Sequence, residues 1–309
     1  MVTPDVAGLR AAAAALRDWQ VDRAPMQLHP GDLGWHWRDG AEATAADVRV
    51  WSRAGRIVAI GLLDTPQLLR MAVDPRLQAD ADVVDGLVND IEEPERGVLQ
   101  SGSAVVEARC GALLTDSLTQ RGWLPDEPWT PLHRDLTGDV PGSGLRIEAI
   151  GPDGAEAWSA IHWSAFKDTA MTDDDRRTVR ERWSQMVNGS PYAEARCLTA
   201  YDDRDTPVAI AGVWSAGPGR PGLLEPIGVH ADHRGHGYGR AVTLAAAAAL
   251  RDLGSSSAVV CTPSSQPGAV ETYVSAGFER FPELRDLRRD NQARVVEAIV
   301  PEPTTRVPS

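Results

Sequence analysis

The densest chemistry in the chain lies in Glu225-Pro-Ile-Gly-Val-His-Ala-Asp-His-Arg-Gly-His-Gly-Tyr-Gly-Arg240, where an apolar segment runs into a glycine-rich turn and a helix opens from it. Successive backbone N–H groups at a helix start form an anion site, and Gly235, Gly237 and Gly239 let a pyrophosphate come close to the main chain. Arg234 and Arg240 can add charge-assisted contacts. A G-x-G-x-G run alone also describes a plain helix-capping turn, so a second signal is needed. Nucleoside triphosphate and dinucleotide readings fail on residue identity: the sequence holds no G-x-x-x-x-G-K followed by Ser or Thr, and the turn at 235–240 lacks the G-x-G-x-x-G spacing with an acidic ribose ligand on the next strand.

The elements that must carry this turn are legible on either side of it. Residues 223–229 read as a short strand, and residues 237–252 as an Ala-rich helix with Ala241, Leu244, Ala245 and Ala248 at the spacing of a buried face. The first half shows the same order: residues 71–73 end a strand, and the helix after it carries Val84, Leu87, Val88 and Ile91 at identical spacing. Apolar strands follow at 104–108 and 258–261, then short helices ending in Gly122-Trp123 and Gly277-Phe278. Val73 and Val229 are 156 residues apart, Val84 and Ala241 157, and Gly122 and Gly277 155, a register that chance seldom holds. Upstream, strand pairs at 48–51 with 57–62 and at 197–200 with 207–213 match less closely, because their loops differ in length.

A chain of 309 residues suits two domains of about 150 residues each. The turn formers at 137–144 mark the seam, which gives a first domain at 1–138, a linker at 139–144 and a second domain at 145–309. The second half opens on a strand at 145–148. A helix N-capped by Asp153 follows, with Trp158, Ile161 and Ala165 on one face, and another helix spans about 172–186. The acidic run Asp173-Asp174-Asp175 complements that helix's dipole. Each half thus reads as a mixed α/β unit used twice.

The segment Val229-His-Ala-Asp-His-Arg-Gly-His-Gly-Tyr-Gly239, with Ala269-Val-Glu-Thr-Tyr-Val-Ser-Ala-Gly-Phe278 at the expected distance behind it, resembles the signature of the GCN5-related N-acetyltransferases (GNAT). That signature is a strand ending Val-x-Pro-x-x-(Arg or Gln)-x-x-Gly-x-(Gly or Ala), and later a helix ending Tyr-x-x-x-Gly-Phe. The resemblance covers roughly residues 145–300. Ala231 departs from the usual Pro, and Gln266 stands where Asn commonly contacts the cofactor. In the first half, Met71-Ala-Val-Asp-Pro-Arg76 keeps the strand and the Pro. Leu77-Gln-Ala-Asp-Ala-Asp82 then replaces the Arg and the glycines, and Thr119 takes the place of the tyrosine. Acidic residues there repel a pyrophosphate. The whole chain resembles actinobacterial tandem acetyltransferases, the mycothiol-synthase type among them. This implies two tandem acyl-CoA N-acyltransferase domains, each a mixed, mostly antiparallel sheet flanked by helices, with only the second armed and the first shaping its substrate cleft or covering its sheet.

The resemblance implies acetyl-CoA as co-substrate and direct transfer to an amine. Val229 then supplies a backbone N–H to the developing oxyanion, and Tyr273 is the general acid for the departing thiolate. Glu225 is the candidate general base; an alternation of two puts it on one strand face with Ile227 and Val229 and turns the weaker candidate, His230, away. Cofactor contacts are expected from Ile227, Gly228, Val229, Arg234, Gly235, His236, Gly237, Tyr238, Gly239, Arg240, Thr262, Gln266 and Tyr273. Trp158, Trp163, Phe166 and Trp183 are expected to wall the acceptor pocket. Cys261 reads as core, since no His–Asp pair is placed to activate it.

Composition bounds the partners. A formal charge of −13 disfavours nucleic acid and anionic membranes and suits a cationic amine. No uncharged apolar run approaches membrane-spanning length, no secretory leader is evident, and three cysteines show no metal or redox spacing. The expectation is a soluble, cytoplasmic, metal-free N-acetyltransferase acting on a small-molecule primary amine, of open oligomeric state. A mycothiol-synthase-like step on a cysteinyl amine, a protein or peptide amine acceptor, and an acetyl-CoA-binding module without turnover remain as alternatives.

Overall fold

The computed structural model describes residues 1–167 and 169–290; the last residues of the expected second domain, 291–309, lie outside the described range. In the first half, α1 (Val6–Trp19), α2 (Pro30–His36) and α3 (Ala41–Asp47) precede a meander of β1 (Val48–Arg53), β2 (Arg56–Thr65) and β3 (Leu68–Val73). There follow α4 (Ala81–Glu92), β4 (Ala104–Glu107), α5 (Ala112–Gln120) and β5 (Leu124–Asp135). The second half begins with β6 (Arg146–Ala149), α6 (Ala155–Phe166) and α7 (Asp173–Asn188), then the meander β7 (Ala195–Tyr201), β8 (Pro207–Ser215) and β9 (Pro221–Val229). It closes with α8 (Tyr238–Asp252), β10 (Ser257–Pro263), α9 (Pro267–Ser275), β11 (Glu279–Arg280) and β12 (Leu284–Arg289).

The repeat read from the sequence is present, but its last strands are exchanged. One sheet runs β1-β2-β3-β4-β12-β5-β10-β9-β8-β7-β6, with β11 paired to β5. It is antiparallel except at β3/β4 and β9/β10. β5, from the first half, pairs with β10 of the second, Leu132 opposite Val260; β12 crosses the other way and pairs with β4, Leu287 opposite Val106. Leu132 is therefore buried in the core under α8, and Leu287 in the core under α4. Each such leucine contributes roughly 1.5–3 kcal/mol of burial to the half it visits. The bidentate pair of Arg109 with Asp286, 2.8 and 2.7 Å, anchors β12 beside the end of β4.

Local sequence explains most elements. Val84, Leu87, Val88 and Ile91 are fully buried on α4, as their spacing requires. Thr172 caps α7 in a capping box with Asp175, and the acidic run lies in that first turn. Two expectations shift. Asp153 sits in a 3-10 turn, and α6 starts after it at Ala155 without a side-chain cap. On α8, Ala245 and Ala248 are only half-buried, while Val242, Ala246, Ala247 and Leu250 face the core. An alanine run carries too little contrast in side-chain size to mark its inner face.

Candidate active site

The turn between β9 and α8 positions the anion site. Gly235 and Gly237 both hold φ of +82°, a left-handed conformation that lets consecutive N–H groups turn to one side. Gly237 is the N-cap of α8 and no side chain accepts from the helix's first turn, so those donors are available to a ligand. In the first half the equivalent end of α4 is closed by its own chain: Asp80 accepts from Val83 N–H at 3.1 Å and is gripped by both Nη atoms of Arg53.

β9 and β10 keep register only where residues 221–223 oppose 257–259; beyond that the strands part. His230 N–H donates to the Val208 carbonyl at 3.0 Å, so the neighbouring Val229, opposite Ala209, turns its N–H to the parted side. The first half repeats this geometry, with Asp74 N–H bonded to Val58 and Val73 opposite Ala59. There the Val73 N–H is already taken, by Gln27 Oε1 at 3.2 Å. One half presents an open donor and an open helix end, and the other has filled both.

A groove of about 750 Å³ gathers Ile227, Gly228, Val229, Arg234, Gly235, Gly237, Tyr238, Gly239, Arg240, Gln266 and Tyr273. Two expected contacts lie outside it. His236 stacks outward on Tyr238, and Thr262 is buried in β10. Arg234 donates to the Ala165 carbonyl and Arg240 to that of Ser275, which fixes both guanidinium groups at the rim. Tyr273 is 8 % exposed, and its hydroxyl has no protein partner among the described residues; burial pushes the phenol above its ordinary pKa. The first-half counterpart of Tyr273 is Leu118, not Thr119. Phe278 N–H bonds to the Tyr273 carbonyl as Trp123 N–H does to that of Leu118, whereas Thr119 faces solvent.

Glu225 is not among the residues that line the groove, and strand periodicity misplaced it. Between the pairs Ala211–Ile227 and Val213–Leu224 the register slips by one residue, so Glu225 and Pro226 together oppose Gly212. A Cβ on Gly212 would stand 2.5 Å from the Glu225 carbonyl, so the bulge needs a glycine there. Ile227 and Val229 pack toward α8, and the extra residue breaks the alternation that was to place Glu225 beside them. Its carboxylate turns instead to the first half, where Arg70 Nη1 lies at 3.9 Å. Burial in this seam pushes the Glu225 carboxyl up to about 7; Arg70 opposes the rise, and Asp32, Glu107 and Asp64 add to it.

Around it stands a set of first-half side chains that no local motif announced. Arg70 pairs with Asp32 at 3.1 Å and Glu107 at 3.2 Å, Arg109 with Glu107 at 3.5 Å, and His36 with Asp64 at 2.8 Å. Cys261 lies near Arg109 but burial pushes its thiol up to about 11, which leaves it protonated and a poor nucleophile at neutral pH. Of the expected pocket aromatics, Trp158 and Trp183 are core residues, Trp163 donates its indole N–H to the Thr169 carbonyl, and Phe166 is 53 % exposed at the groove edge. Trp35 of α2 and His162 extend that edge, with ring centroids 5.5 Å apart and Phe166 a further 5.0 Å on. Burial pushes the His162 pKa down to about 4, so this ring is neutral at physiological pH. Among the described residues no cluster of metal-binding side chains occurs, and no helix is long and apolar enough to cross a membrane.

Comparison with known proteins agrees with this geometry. Residues 155–278 match the family model described as Acetyltransferase (GNAT) family. A mycothiol acetyltransferase of Thermobispora bispora is 29 % identical over 160 residues, 48 % of this chain and 53 % of the relative. Another from Kytococcus sedentarius is 28 % identical over 170 residues, 52 % of this chain and 56 % of the relative. The chain thus spans about half the length of the curated relatives it matches. Among solved structures, a tandem GNAT protein from the clavulanic acid biosynthesis pathway aligns over 92 % of this chain and 94 % of its own, with a TM-score of 0.59 at 15 % identity. The fold is that of a tandem GNAT protein, and the resemblance read from the two motifs holds.

Proposed function

We propose that this chain, whose second half matches the GNAT family, is an acetyl-CoA-dependent N-acetyltransferase that acetylates a primary amine of a small molecule at the site in its second half. The observation that carries this reading is the convergence, in one groove, of an uncapped helix start, an unpaired Val229 N–H and a buried Tyr273. The residues fit the co-substrate: the α8 turn with Arg234 and Arg240 suits a pyrophosphate, and the gap between β9 and β10 suits a pantetheine arm. Acetyl-CoA supplies an activated thioester carbonyl. Val229 N–H stabilises negative charge on that carbonyl's oxygen, and Tyr273 donates a proton to the departing thiolate. Glu225 takes a proton from the incoming ammonium, directly or through water; a carboxyl held near 7 can do this at neutral pH, where an ordinary one is too weak a base. The domain division at residues 139–144 belongs to the same proposal, with the last strand of each part lodged in the other.

A second reading has one observation in its favour, the name mycothiol acetyltransferase borne by both curated relatives. It makes the acceptor a cysteinyl amine. Conversion of acetyl-CoA to CoA, followed by chromatography over cysteinyl conjugates, amino sugars, polyamines and amino acids, tests both readings. Amine-dependent conversion supports transfer, and preference for a cysteinyl conjugate selects the second. Acetyl-CoA binding without turnover on any amine leaves a binding module.

A further inference from the structure

We propose that Arg70, on the half without an open cofactor groove, is a positioning residue for the second half's Glu225, its guanidinium divided among Asp32, Glu107 and Glu225. This deepens the preceding reading and rests on it for its catalytic meaning. Arg70 is enclosed, with 13 % of its side chain exposed, and its three partners come from three elements: Asp32 on α2, Glu107 on β4 and Glu225 in the β9 bulge. One cation cannot neutralise three carboxylates. Asp32 and Glu107 take the close positions at 3.1 and 3.2 Å, and each has further support: Asp32 accepts from His29 N–H at 2.6 Å, and Glu107 faces Arg109 at 3.5 Å. Glu225 is left with the longest contact, 3.9 Å, and the most open side chain, at 37 % exposure. Burial raises the pKa of Asp32 as well as that of Glu225, so a proton entering the cluster is shared between these two carboxylates, and Glu225 is the one carried by a groove strand.

Among the described residues, the charged groups that act most strongly on Glu225 come from this arrangement and its rim. Arg70, Asp32, Glu107 and Asp64 surround it, Asp64 being bonded to His36; Arg38 lies beyond, after α2, and the Tyr273 phenol approaches from α9. Arg70 stabilises the ionised form of Glu225 and draws the carboxylate toward the seam. Asp32 and Glu107 limit how much of that charge Glu225 receives. The first half has lost its own anion site and kept a part in the chemistry of the second.

The test is a carboxyl titration by ¹³C NMR on the full chain labelled at glutamate, with Glu225 assigned by its loss in Glu225→Gln. Arg70→Met should raise the Glu225 midpoint by about one pH unit or more, with Arg70→Lys between it and wild type. Glu107→Gln removes a repelling charge and frees Arg70, so it should move the midpoint the opposite way. If Arg70→Met does not fold, the opposed shifts of Arg70→Lys and Glu107→Gln carry the test. A midpoint that stays put in both overturns the role given to Arg70. The acid limb of kcat/KM, measured on the amine with the greatest thiol release, should follow the same order while KM for acetyl-CoA stays constant. Midpoints that move while the limb does not overturn the base assignment and leave Arg70's hold on the carboxylate standing.

Discussion

In the proposed reaction Tyr273 and Glu225 divide the two proton transfers, and their surroundings differ as those tasks require. Tyr273 lies in an apolar setting that favours the neutral phenol, so it is charged with its proton when the thiolate leaves. Tyr273→Phe should lower kcat by about 10²-fold or more and leave KM for acetyl-CoA nearly unchanged; steady-state kinetics with full turnover would remove the tyrosine from the mechanism. Glu225 must be ionised to act. Its raised pKa therefore predicts that kcat/KM climbs as pH rises through about 7 and falls on the acid side, and Glu225→Gln should flatten that limb. Tyr273 and the glycine turn were legible because they lie within short, ordered motifs. Arg70, Asp32 and Glu107 were not, because isolated charges on three elements become a cluster only when the sheet brings distant strands together.

The start of a single helix separates the two copies of this fold. α8 begins on a left-handed glycine with no side-chain cap, while α4 begins on Asp80, which bonds its own backbone. Gly237→Ala should cost about 1 kcal/mol in backbone strain and raise KM for acetyl-CoA. Asp80→Ala should lower stability through the lost cap, with no effect on that KM. Thermal unfolding and kinetics on both variants check this asymmetry, and equal effects on KM would contradict it. The acidic residues within 77–82 mark the difference between the halves in sequence, and the structure adds contacts that charge alone did not suggest. Asp80 closes the helix end, and Gln27, which no motif marked, fills the Val73 donor. The bulge at Glu225 was hidden for a similar reason: period-two counting assumes an unbroken register, and Gly212 reveals the break only once its partner strand is known.

Across the whole molecule, the repeat in the sequence foretold two copies of one fold, and the offsets near 156 residues held. The exchange of β5 and β12 was not legible, because a last strand pairs equally well in either half as far as its own residues show. Its consequence is mechanical unity: each core contains a leucine from the other part, and the buried Arg109–Asp286 pair ties β12 to β4. Asp286→Ala leaves Arg109 with only the longer contact to Glu107 and should cost about 3 kcal/mol or more. Calorimetry should show one unfolding transition in both proteins, and two resolved transitions in the wild type would contradict the exchange. In the proposed function one half is armed for acetyl transfer while the other is closed. Titration of CoA into the full chain, followed on the same preparation by amine-dependent thiol release, tests it most directly. The expected result is a single CoA site per chain, weakened by Gly237→Ala, with release that depends on both the amine and Tyr273. Two equivalent CoA sites, or tight binding with no release on any amine, would contradict it.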